Sequence, residues 1–359
     1  MEQQEDEEQQ NEQEIWSWGA GTDGQLATGK LQDEHTPQIL RPLSAAFGGP
    51  ITSLSCGGAH VIALSPGGRV LTWGRGSSGQ LGHGDMINGL EPKVVKALEG
   101  YVIVHASAGW NHSGFVSDDG ALFTCGDGSF GQLGHGDYKS QCCPLQVSYF
   151  SSKPVEQVAC GMRHSLVLLK DYVDNQVYGF GLGKRGQLGI STEKIKSTNV
   201  PQMTVGLTNL TVANISANGD HSAALSADGN LYTWGRGFGC ASDTCTPRLF
   251  DAALSFNEVA LGWDHALLLT RDAEVFMLGG DRHGVLGDPE KTSLTGDTSG
   301  KSQEGIIMLT IPDLIGTKVQ QIAAGAEHSA LVTGRKEVDF VSFEIYRCIL
   351  RRHCSKLCR

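Results

Sequence analysis

The side chains in this sequence that could do chemistry are mainly histidines in one repeated setting. Six of them follow Gly-x-x, or Asn-x-x in the fourth copy, between two small or apolar runs. Imidazole is the usual acid–base group near neutral pH and a common metal ligand. Copies of one repeat unit aim equivalent side chains at different neighbours, so they do not converge on one ion. We therefore predict no catalytic residue and no metal site, and assign each histidine a structural bond to a backbone group across its unit: His60, His112, His164, His221, His265 and His328.

Two further motifs resemble chemical sites, and we interpret both as structural. Gly-x-Gly-x-x-Gly occurs four times, but a dinucleotide site needs a helix to begin at the last glycine. Here Gln-Leu follows, and then a further glycine in three copies, which predicts turns between strands and no cofactor. Near the C-terminus, the spacing of Cys348, His353, Cys354 and Cys358 lacks the paired Cys-x-x-Cys halves of a zinc site.

The elements that position these residues repeat with a period of about 50 residues, a length typical of solenoids and propellers. Each unit contains the Gly-x-x-His segment, a turn such as SPGG or SDDG, a second phrase such as WGRGSSGQLG, and a later patch such as EPKVV. The apolar runs have strand lengths and are bounded by turn residues, and none shows helical periodicity. About four strands per unit predict an all-β fold, a β-propeller.

The pairing of Gly-x-x-His-Ser with Trp-Gly-x-Gly-x-x-Gly-Gln-Leu-Gly resembles the regulator of chromosome condensation family over most of the chain. That family includes the plant ultraviolet-B photoreceptor and Ran-type guanine nucleotide exchange factors. The resemblance implies a seven-bladed propeller that acts either as an interaction scaffold or as an exchange factor for a small GTPase.

This chain has six copies where the family has seven. It opens within a unit at Ile15, and the repeat stops after Thr333. In one closure, residues 15–40 complete the blade begun by residues 319–333 and give six blades. In the other, which we favour, a seven-bladed scaffold lacks part of a blade and the ring is incomplete. An open blade edge then exposes unpaired backbone groups, so we expect a monomer or weak self-association through that edge.

Charge divides the chain into three parts. Lys plus Arg is 28 against 39 for Asp plus Glu, a net charge of -11. We predict a disordered acidic tail over 1–14, a propeller over 15–333, and an atypical basic tail over 334–359 that is helical or disordered. The acidic body argues against direct nucleic-acid binding. No apolar stretch is long enough for a membrane span, and the scattered cysteines are typical of reduced thiols, so we expect a cytoplasmic or nuclear protein that does not bind membranes.

The two residues between Gly and His differ from copy to copy while their flanks repeat, and we predict that these positions contact a protein partner. Tryptophan and arginine, two residue types enriched at binding hot spots, are among them. The candidate partner-binding residues are Trp110, Asn111, Met162, Arg163, Asp220, Trp263, Asp264 and Glu327. The photoreceptor of the family uses clustered tryptophans. Here the two tryptophans fall in units separated by two others, so we expect no such cluster and no light sensing by this route.

These observations favour a non-enzymatic scaffold that binds another protein through blade loops. The alternative is a guanine nucleotide exchange factor for a small Ran-like GTPase, which acts without covalent chemistry. Exchange factors of the family insert a hairpin that protrudes between blades. The one long insertion in this sequence, Asp288 to Gly305, is rich in Thr, Ser, Gly and Lys and poor in apolar anchors.

Overall fold

The computed structural model consists of seven antiparallel sheets arranged around a central cavity. It describes residues 14–40, 50–169, 176–238, 242–279, 308–310, 316–333, 338–340 and 348–352. Within them, five sheets have four strands and two have three. The fold is a seven-bladed β-propeller, as the sequence predicts. The six-bladed closure is not adopted, because the strands of 15–40 and of 319–333 belong to different sheets.

Blades 2 to 6 share one plan, in which four consecutive strands pair in sequence order. The first strand is innermost and leads to the Gly-x-x-His motif, and the second begins at the histidine. In blades 2 to 5 the fourth, edge strand contains a proline, which is tolerated there because one side of an edge strand needs no donor. Blade 2 contains β3 (Ser53–Cys56), β4 (His60–Leu64), β5 (Val70–Gly74) and β6 (Gly89–Val94). Blade 3 contains β7 (Ile103–Ala108), β8 (His112–Ser117), β9 (Leu122–Gly126) and β10 (Gln141–Gln146).

The next three blades continue this plan. Two short 3-10 helices, Lys96–Leu98 and Ser148–Phe150, follow the fourth strands of blades 2 and 3. Blade 4 contains β11 (Val155–Cys160), β12 (His164–Leu169), β13 (Val177–Leu182) and β14 (Ser197–Met203). Blade 5 contains β15 (Val212–Asn218), β16 (His221–Ser226), β17 (Leu231–Gly235) and β18 (Thr244–Leu249). Blade 6 contains β19 (Phe256–Leu261), β20 (His265–Thr270), β21 (Val275–Gly279) and β22 (Met308–Thr310).

The two terminal blades each have three strands among the described residues. Blade 7 contains β23 (Val319–Ala324), β24 (Ser329–Thr333) and β25 (Val338–Phe340). Blade 1 contains β1 (Glu14–Gly19) and β2 (Glu34–Ile39), and β26 (Cys348–Arg352) pairs antiparallel with β1. Blade 1 therefore has strands equivalent to the second, third and fourth of a complete blade, and blade 7 has the first, second and third. The seven sheets among the described residues agree with the seven-bladed alternative, and the incomplete ring stays a prediction.

The basic tail is one part of the sequence prediction that the structure corrects. Residues 334–359 were expected to be helical or disordered, yet β25 and β26 lie within them. Both runs, VDF and CILRR, contain β-branched and apolar residues, and an adjacent strand supplies the hydrogen-bond partners that such short runs need. The other residues of this tail, the acidic residues 1–13 and the insertion Asp288 to Gly305 lie outside the described residues.

The hydrophobic core consists of separate layers between blades. Six clusters of buried side chains each join two neighbouring blades, from blades 1 and 2 through to blades 6 and 7. The second strands are buried on both faces, so Val61 packs toward blade 1 while Ile62 packs toward blade 3. This explains why their sequences are continuous apolar runs without polar alternation. No helix in the described part of the chain is long and apolar enough to cross a membrane.

Candidate interaction site at the mouth of the central cavity

The Gly-x-x-His segments of blades 2 to 7 lie together at one mouth of the central cavity, where the innermost strands end. Backbone hydrogen bonds join the segment to the next one at four of the five steps, and side chains of Asn218 and His221 make the contact from blade 5 to blade 6. The N–H of Trp110 donates to the carbonyl of Gly161 at 3.1 Å, and the N–H of Met162 donates to the carbonyl of Gly219 at 2.9 Å. These bonds fix the loops around the mouth, so the variable side chains start from a rigid frame.

Five of the six motif histidines are buried, and four of these bond a serine hydroxyl of the next blade. Nε2 of His60 lies 2.8 Å from Oγ of Ser113, and Nε2 of His164 lies 2.9 Å from Oγ of Ser222. The same contact joins His112 to Ser165 and His265 to Ser329. The expected backbone partner is thus corrected to a side-chain hydroxyl, because the serine that follows the next histidine faces back across the seam between blades.

The serine hydroxyls connect the two interleaved sequence motifs. Oγ of Ser113 donates to the carbonyl of Gln80 at 2.7 Å, and Oγ of Ser222 donates to the carbonyl of Gln187 at 2.7 Å. Each glutamine belongs to the Gly-Gln-Leu-Gly phrase of the preceding blade. Because the single hydroxyl proton is used toward glutamine, the serine must accept from the histidine, and this assigns the proton of His60 to Nε2.

These histidines are held in the neutral form. Burial lowers the pKa of His60 and of His164 to about 3, and that of His112 and of His265 to about 4. A neutral imidazole with its one N–H bonded to serine has no further proton to donate. These four histidines therefore act as residues of the seams between blades.

The glycine of each motif is required by the histidine ring. A Cβ at Gly161 would lie 2.2 Å from Cε1 of His164, and a Cβ at Gly262 would lie 2.1 Å from Cε1 of His265. Such distances are far inside van der Waals contact, and the neighbour is a buried ring with no room to move. Gly and His in the motif are therefore one packing unit.

The seam between blades 5 and 6 departs from this pattern. Asn218 replaces the glycine, and Ala266 stands where blades 3, 4, 5 and 7 have the serine. His221 has a different orientation, in which Nδ1 lies 2.7 Å from the carbonyl of Arg236 and Nε2 lies 2.8 Å from the carbonyl of Trp263. Its ring stacks on Phe238, with centroids 4.2 Å apart and planes at 5°. The histidine that lacks both partners thus bonds backbone carbonyls instead.

The two variable tryptophans contact each other across the mouth. Trp110 belongs to blade 3 and Trp263 to blade 6, and their ring centroids are 5.6 Å apart with planes at 45°. The expectation that tryptophans in units separated by two others remain apart is therefore corrected. The first position after the motif glycine points toward the axis, where nearly opposite blades of a seven-membered ring meet.

Glycines of the preceding blades make room for this tryptophan pair. A Cβ at Gly58 would lie 2.9 Å from Cδ2 of Trp110, and a Cβ at Gly219 would lie 2.9 Å from Cδ1 of Trp263. Each indole therefore lies on a bare backbone segment of its neighbour. Met162, from blade 4, which is one of the two blades between them, lines the same cavity. Trp110, Met162 and Trp263 form an apolar group, which we call the mouth cluster.

The second variable residues are used differently from the first. The Arg163 guanidinium lies over the Phe130 ring, 5.0 Å from its centroid. Asp220 accepts a hydrogen bond from Nε2 of Gln187 at 2.9 Å. Both bring a polar side chain onto the Gly-Gln-Leu loops. These contacts direct the two side chains toward loops and away from the mouth cluster.

The remaining second-position residues are Asn111, Asp264 and Glu327. Asp264 forms an ion pair with Arg236 across the seam between blades 5 and 6, at 2.8 Å. Asn111 is half-buried, whereas Glu327 is exposed and lines the cavity. The structure therefore brings four predicted residues together at the cavity, namely Trp110, Met162, Trp263 and Glu327.

The central cavity below the mouth cluster has a volume of about 980 Å³. Small side chains of the innermost strands, mainly alanine and serine, form its wall. Its charged lining consists of the carboxyl groups of Asp33, Glu258 and Glu327, and no Lys or Arg of the described residues reaches it. Among these same described residues, no group of three His, Cys, Asp or Glu side chains is arranged to hold a metal ion.

Sequence reasoning missed Glu258, Gly58, Gly219 and Arg236. Glu258 precedes Trp263 by five residues, so an alternating strand leading to the motif could have placed it near the axis. The glycines also carried a signal, because a glycine occupies the first variable position one unit before each tryptophan, at Gly58 and at Gly219. No sequence signal marks Arg236 as the partner of Asp264, since their proximity depends on the ring.

Comparison with known proteins agrees with this architecture. The family model described as the RCC1-like domain matches residues 14–340. The chain belongs to the RCC1-like domain family. The match begins with β1 and reaches β25, so the RCC1-like domain extends beyond the boundary at 333 that the repeat predicts.

This RCC1-like chain is similar in sequence to several characterised proteins. It is 34% identical to the ultraviolet-B receptor UVR8 of Arabidopsis thaliana over 286 residues, which covers 77% of this chain and 63% of UVR8. It is 32% identical to the human E3 ubiquitin-protein ligase HERC2 over 88% of this chain but only 6% of that protein. It is 30% identical to the secretion-regulating guanine nucleotide exchange factor of Mus musculus, over 89% of this chain and 72% of that protein.

Solved structures show the same fold. Prp20p of Saccharomyces cerevisiae, described with its binding properties to Gsp1p and histones, matches with a TM-score of 0.76 at 24% identity, over 91% of this chain and 80% of that one. Human WBSCR16 matches with a TM-score of 0.75 at 23% identity, over 91% and 87%. At these identities the likeness concerns the architecture of the RCC1-like propeller.

Proposed function

We propose that this RCC1-like chain is a non-enzymatic interaction propeller that binds a protein partner through the mouth cluster and the loops around it. The observation that carries the proposal is the contrast among its tryptophans. Trp73 and Trp234 are 0% and 2% exposed and fill seams between blades, whereas Trp110 and Trp263 are half-buried at the axis. Half-buried tryptophans ringed by polar side chains are typical of binding hot spots.

The chemistry of the repeated residues supports a binding role over a catalytic one. The buried motif histidines are neutral and bonded to serine or to backbone carbonyls. The charged residues around the mouth are partly engaged with each other, as in the ion pair of Arg236 with Asp264. Such a surface offers apolar area and a polar rim, the two components of a protein interface.

The proposal is tested by affinity capture with quantitative mass spectrometry, comparing the unmodified chain with Trp110→Ser and Trp263→Ser. The matched control is Leu145→Ser, which removes an exposed apolar side chain from the edge strand β10. We expect a set of captured proteins to be lost with both tryptophan variants and retained with the control. Equal capture by all four proteins, each folded by circular dichroism, contradicts a contact at the mouth.

Guanine nucleotide exchange is the second candidate. It is favoured by the 30% identity to the secretion-regulating exchange factor, which spans most of both chains. Release of labelled GDP from a panel of small GTPases tests it directly. Acceleration by orders of magnitude in the presence of the purified chain supports exchange, and partner capture without acceleration supports the scaffold alone.

A further inference from the structure

The surroundings of the mouth cluster carry an imbalance of charge. Three carboxyl groups line the cavity, those of Asp33, Glu258 and Glu327, and no Lys or Arg of the described residues accompanies them. Burial lowers the pKa of His60 and of His105 in the lining and raises the pKa of the Cys56 and Cys160 thiols, so all four side chains favour their neutral forms. The described lining therefore carries negative charge without a matching cation.

Glu258 is the most constrained of these carboxyl groups. Burial raises its pKa, and a hydrogen bond from the N–H of Ile322 in the next blade partly offsets this effect. A carboxylate in such a position is stabilised by a cation that enters the cavity, since a buried charge is costly when it has no partner of opposite sign. Glu258 lies on β19, on the same innermost strand that leads to Trp263.

The arginines of this face are already engaged elsewhere. Arg75 binds Asp23 at 2.7 Å, Arg236 binds Asp264 at 2.8 Å, and Arg163 lies over the ring of Phe130. The indoles of Trp110 and Trp263 present aromatic faces at the mouth above the carboxyl-lined cavity. Tryptophan is the side chain with the strongest attraction for a cation placed over its ring.

We propose that the mouth cluster and the cavity below it form a receptor for an arginine side chain presented by a partner protein. The guanidinium fits this site better than an ammonium group, because its planar face stacks on an indole while its fork of N–H groups bonds a carboxylate. In the bound state the guanidinium lies against the tryptophan pair, and its N–H groups point toward Glu258 or Glu327. This inference rests on the proposed function and specifies the chemistry of the partner.

The test uses the full chain labelled with 5-fluorotryptophan and observed by ¹⁹F NMR. The resonances of the mouth are assigned with Trp110→Phe and Trp263→Phe. The probes are acetylated and amidated pentapeptides, Gly-Ser-X-Ser-Gly, with arginine, lysine or citrulline at X. Citrulline has nearly the shape of arginine but no charge. The buried tryptophans Trp73 and Trp234 serve as internal controls.

We expect the arginine peptide to shift the two mouth resonances in a saturable way and to leave the buried tryptophans unchanged. Citrulline should require about 3-fold to 10-fold higher concentration for the same shift, as expected for loss of one cation–π and charge contact. Lysine should fall between them. Glu258→Gln should weaken arginine binding by a similar factor, whereas Leu145→Ser should not change it.

Two outcomes overturn the receptor for arginine. One is equal binding of the citrulline and arginine peptides, which indicates an apolar site without charge selection. The other is a shift of all tryptophan resonances together, which indicates non-specific association. The two proposals fail separately. Capture that depends on Trp110 and Trp263 without arginine selectivity leaves the scaffold intact, whereas arginine binding without any tryptophan-dependent partner removes the scaffold but keeps the site.

Discussion

The seam between blades 4 and 5 and the seam between blades 5 and 6 join similar sheets with different chemistry. In the first, His164 donates to Ser222, and Ser222 donates to the carbonyl of Gln187. In the second, His221 faces two backbone carbonyls and stacks on Phe238. We call these the regular seam and the altered seam. The comparison shows that the motif histidine remains where its glycine and serine partners have both been replaced.

The altered seam also gains contacts that the regular seam lacks. Nδ2 of Asn218 donates to the carbonyl of Leu261 at 2.7 Å, and Arg236 pairs with Asp264 at 2.8 Å. Blade packing therefore tolerates a change of polar partners at this seam, where His221, Asn218 and Asp264 all have hydrogen-bond or ion-pair partners. The recurrence of Gly-x-x-His from blade to blade is explained by packing, because the glycine makes room for the histidine ring and the histidine bonds the next blade.

The largest expected difference between the two seams is in how the free energy of unfolding depends on pH. Because folded His60, His112, His164 and His265 have pKa values of about 3 to 4, the unfolded chain binds protons that the folded chain does not. Their contribution to the free energy of unfolding is fully present above about pH 6.5 and is lost progressively as pH falls toward 4, by about 1.4 kcal/mol per pH unit for each histidine. Urea denaturation at pH 7, 6 and 5 measures the loss.

His221 should behave differently from His164 in the same titration. A neutral imidazole has one N–H and can satisfy only one of the two carbonyls, whereas the protonated ring satisfies both. Burial lowers the pKa of His221, but hydrogen bonds to the carbonyls of Trp263 and Arg236 oppose that shift. We expect His221 to protonate at higher pH than His164 by NMR of the imidazole ¹⁵N nuclei. The reverse order contradicts the described orientation of His221.

The glycine of the regular seam should be the most sensitive single position. Gly161→Ala places a Cβ 2.2 Å from the ring of His164, and overpacking of this kind costs about 3 kcal/mol. Asn218→Ala, at the equivalent position of the altered seam, removes two hydrogen bonds, to the carbonyl of Leu261 and from the N–H of Gly219, and should cost about 1 to 2 kcal/mol. Urea midpoints at pH 7 compare the two variants. Equal losses show that His164 moves freely, against its packing in the structure.

The serine position gives an intermediate effect. Ser222→Ala leaves Nε2 of His164 without a partner and should cost about 1 to 3 kcal/mol. Ala266→Ser adds a buried hydroxyl to the altered seam, where His221 does not face it, and should also destabilise. When combined with Asn218→Gly, however, Ala266→Ser restores the glycine and the serine of the regular seam. A double-mutant cycle should then show a favourable coupling, and simple additivity argues that His221 keeps its present orientation.

The smallest effect is expected at the ion pair of the altered seam. Arg236 and Asp264 have side chains that are 33% and 31% exposed, so solvent screens their attraction. Arg236→Gln should cost about 1 kcal/mol or less at low salt, and the difference should shrink at 1 M salt. A larger, salt-independent loss indicates that the stem of Arg236 packs against its neighbours more than its charge contributes.

The sequence predicts the blades well, because each unit repeats strand lengths, turn residues and paired motifs. It does not predict β26, since CILRR has no repeat character and becomes a strand only beside β1. The same limit applies to the tryptophan pair. The identities of Trp110 and Trp263 identify them as candidate contacts, but their meeting depends on the number of blades and on the distance across the axis.

The sequence shows which residues are replaced in the altered seam, but it does not show that His221 changes its orientation as a result. Asn218 and Ala266 are plain departures from the repeat. The orientation of His221 depends on Asn218 of its own blade and on Ala266 of blade 6. It also depends on Phe238, which lies in a loop of blade 5 that lacks the Gln-Leu pattern. Short-range patterns indicate which residues differ, and only the packed interface decides how a side chain reorients.

The pairing of β26 with β1 affects how this protein can fold while it is being synthesised. The edge of β1 that binds β26 leaves the ribosome well before its partner, because the strands of blades 2 to 7 are synthesised between them. During that interval the edge bears unpaired backbone groups that attract other strands. Blades 2 to 6 can assemble as they emerge, but β1 has to wait until β26 has been synthesised, and a chaperone that covers this edge would protect it during that interval.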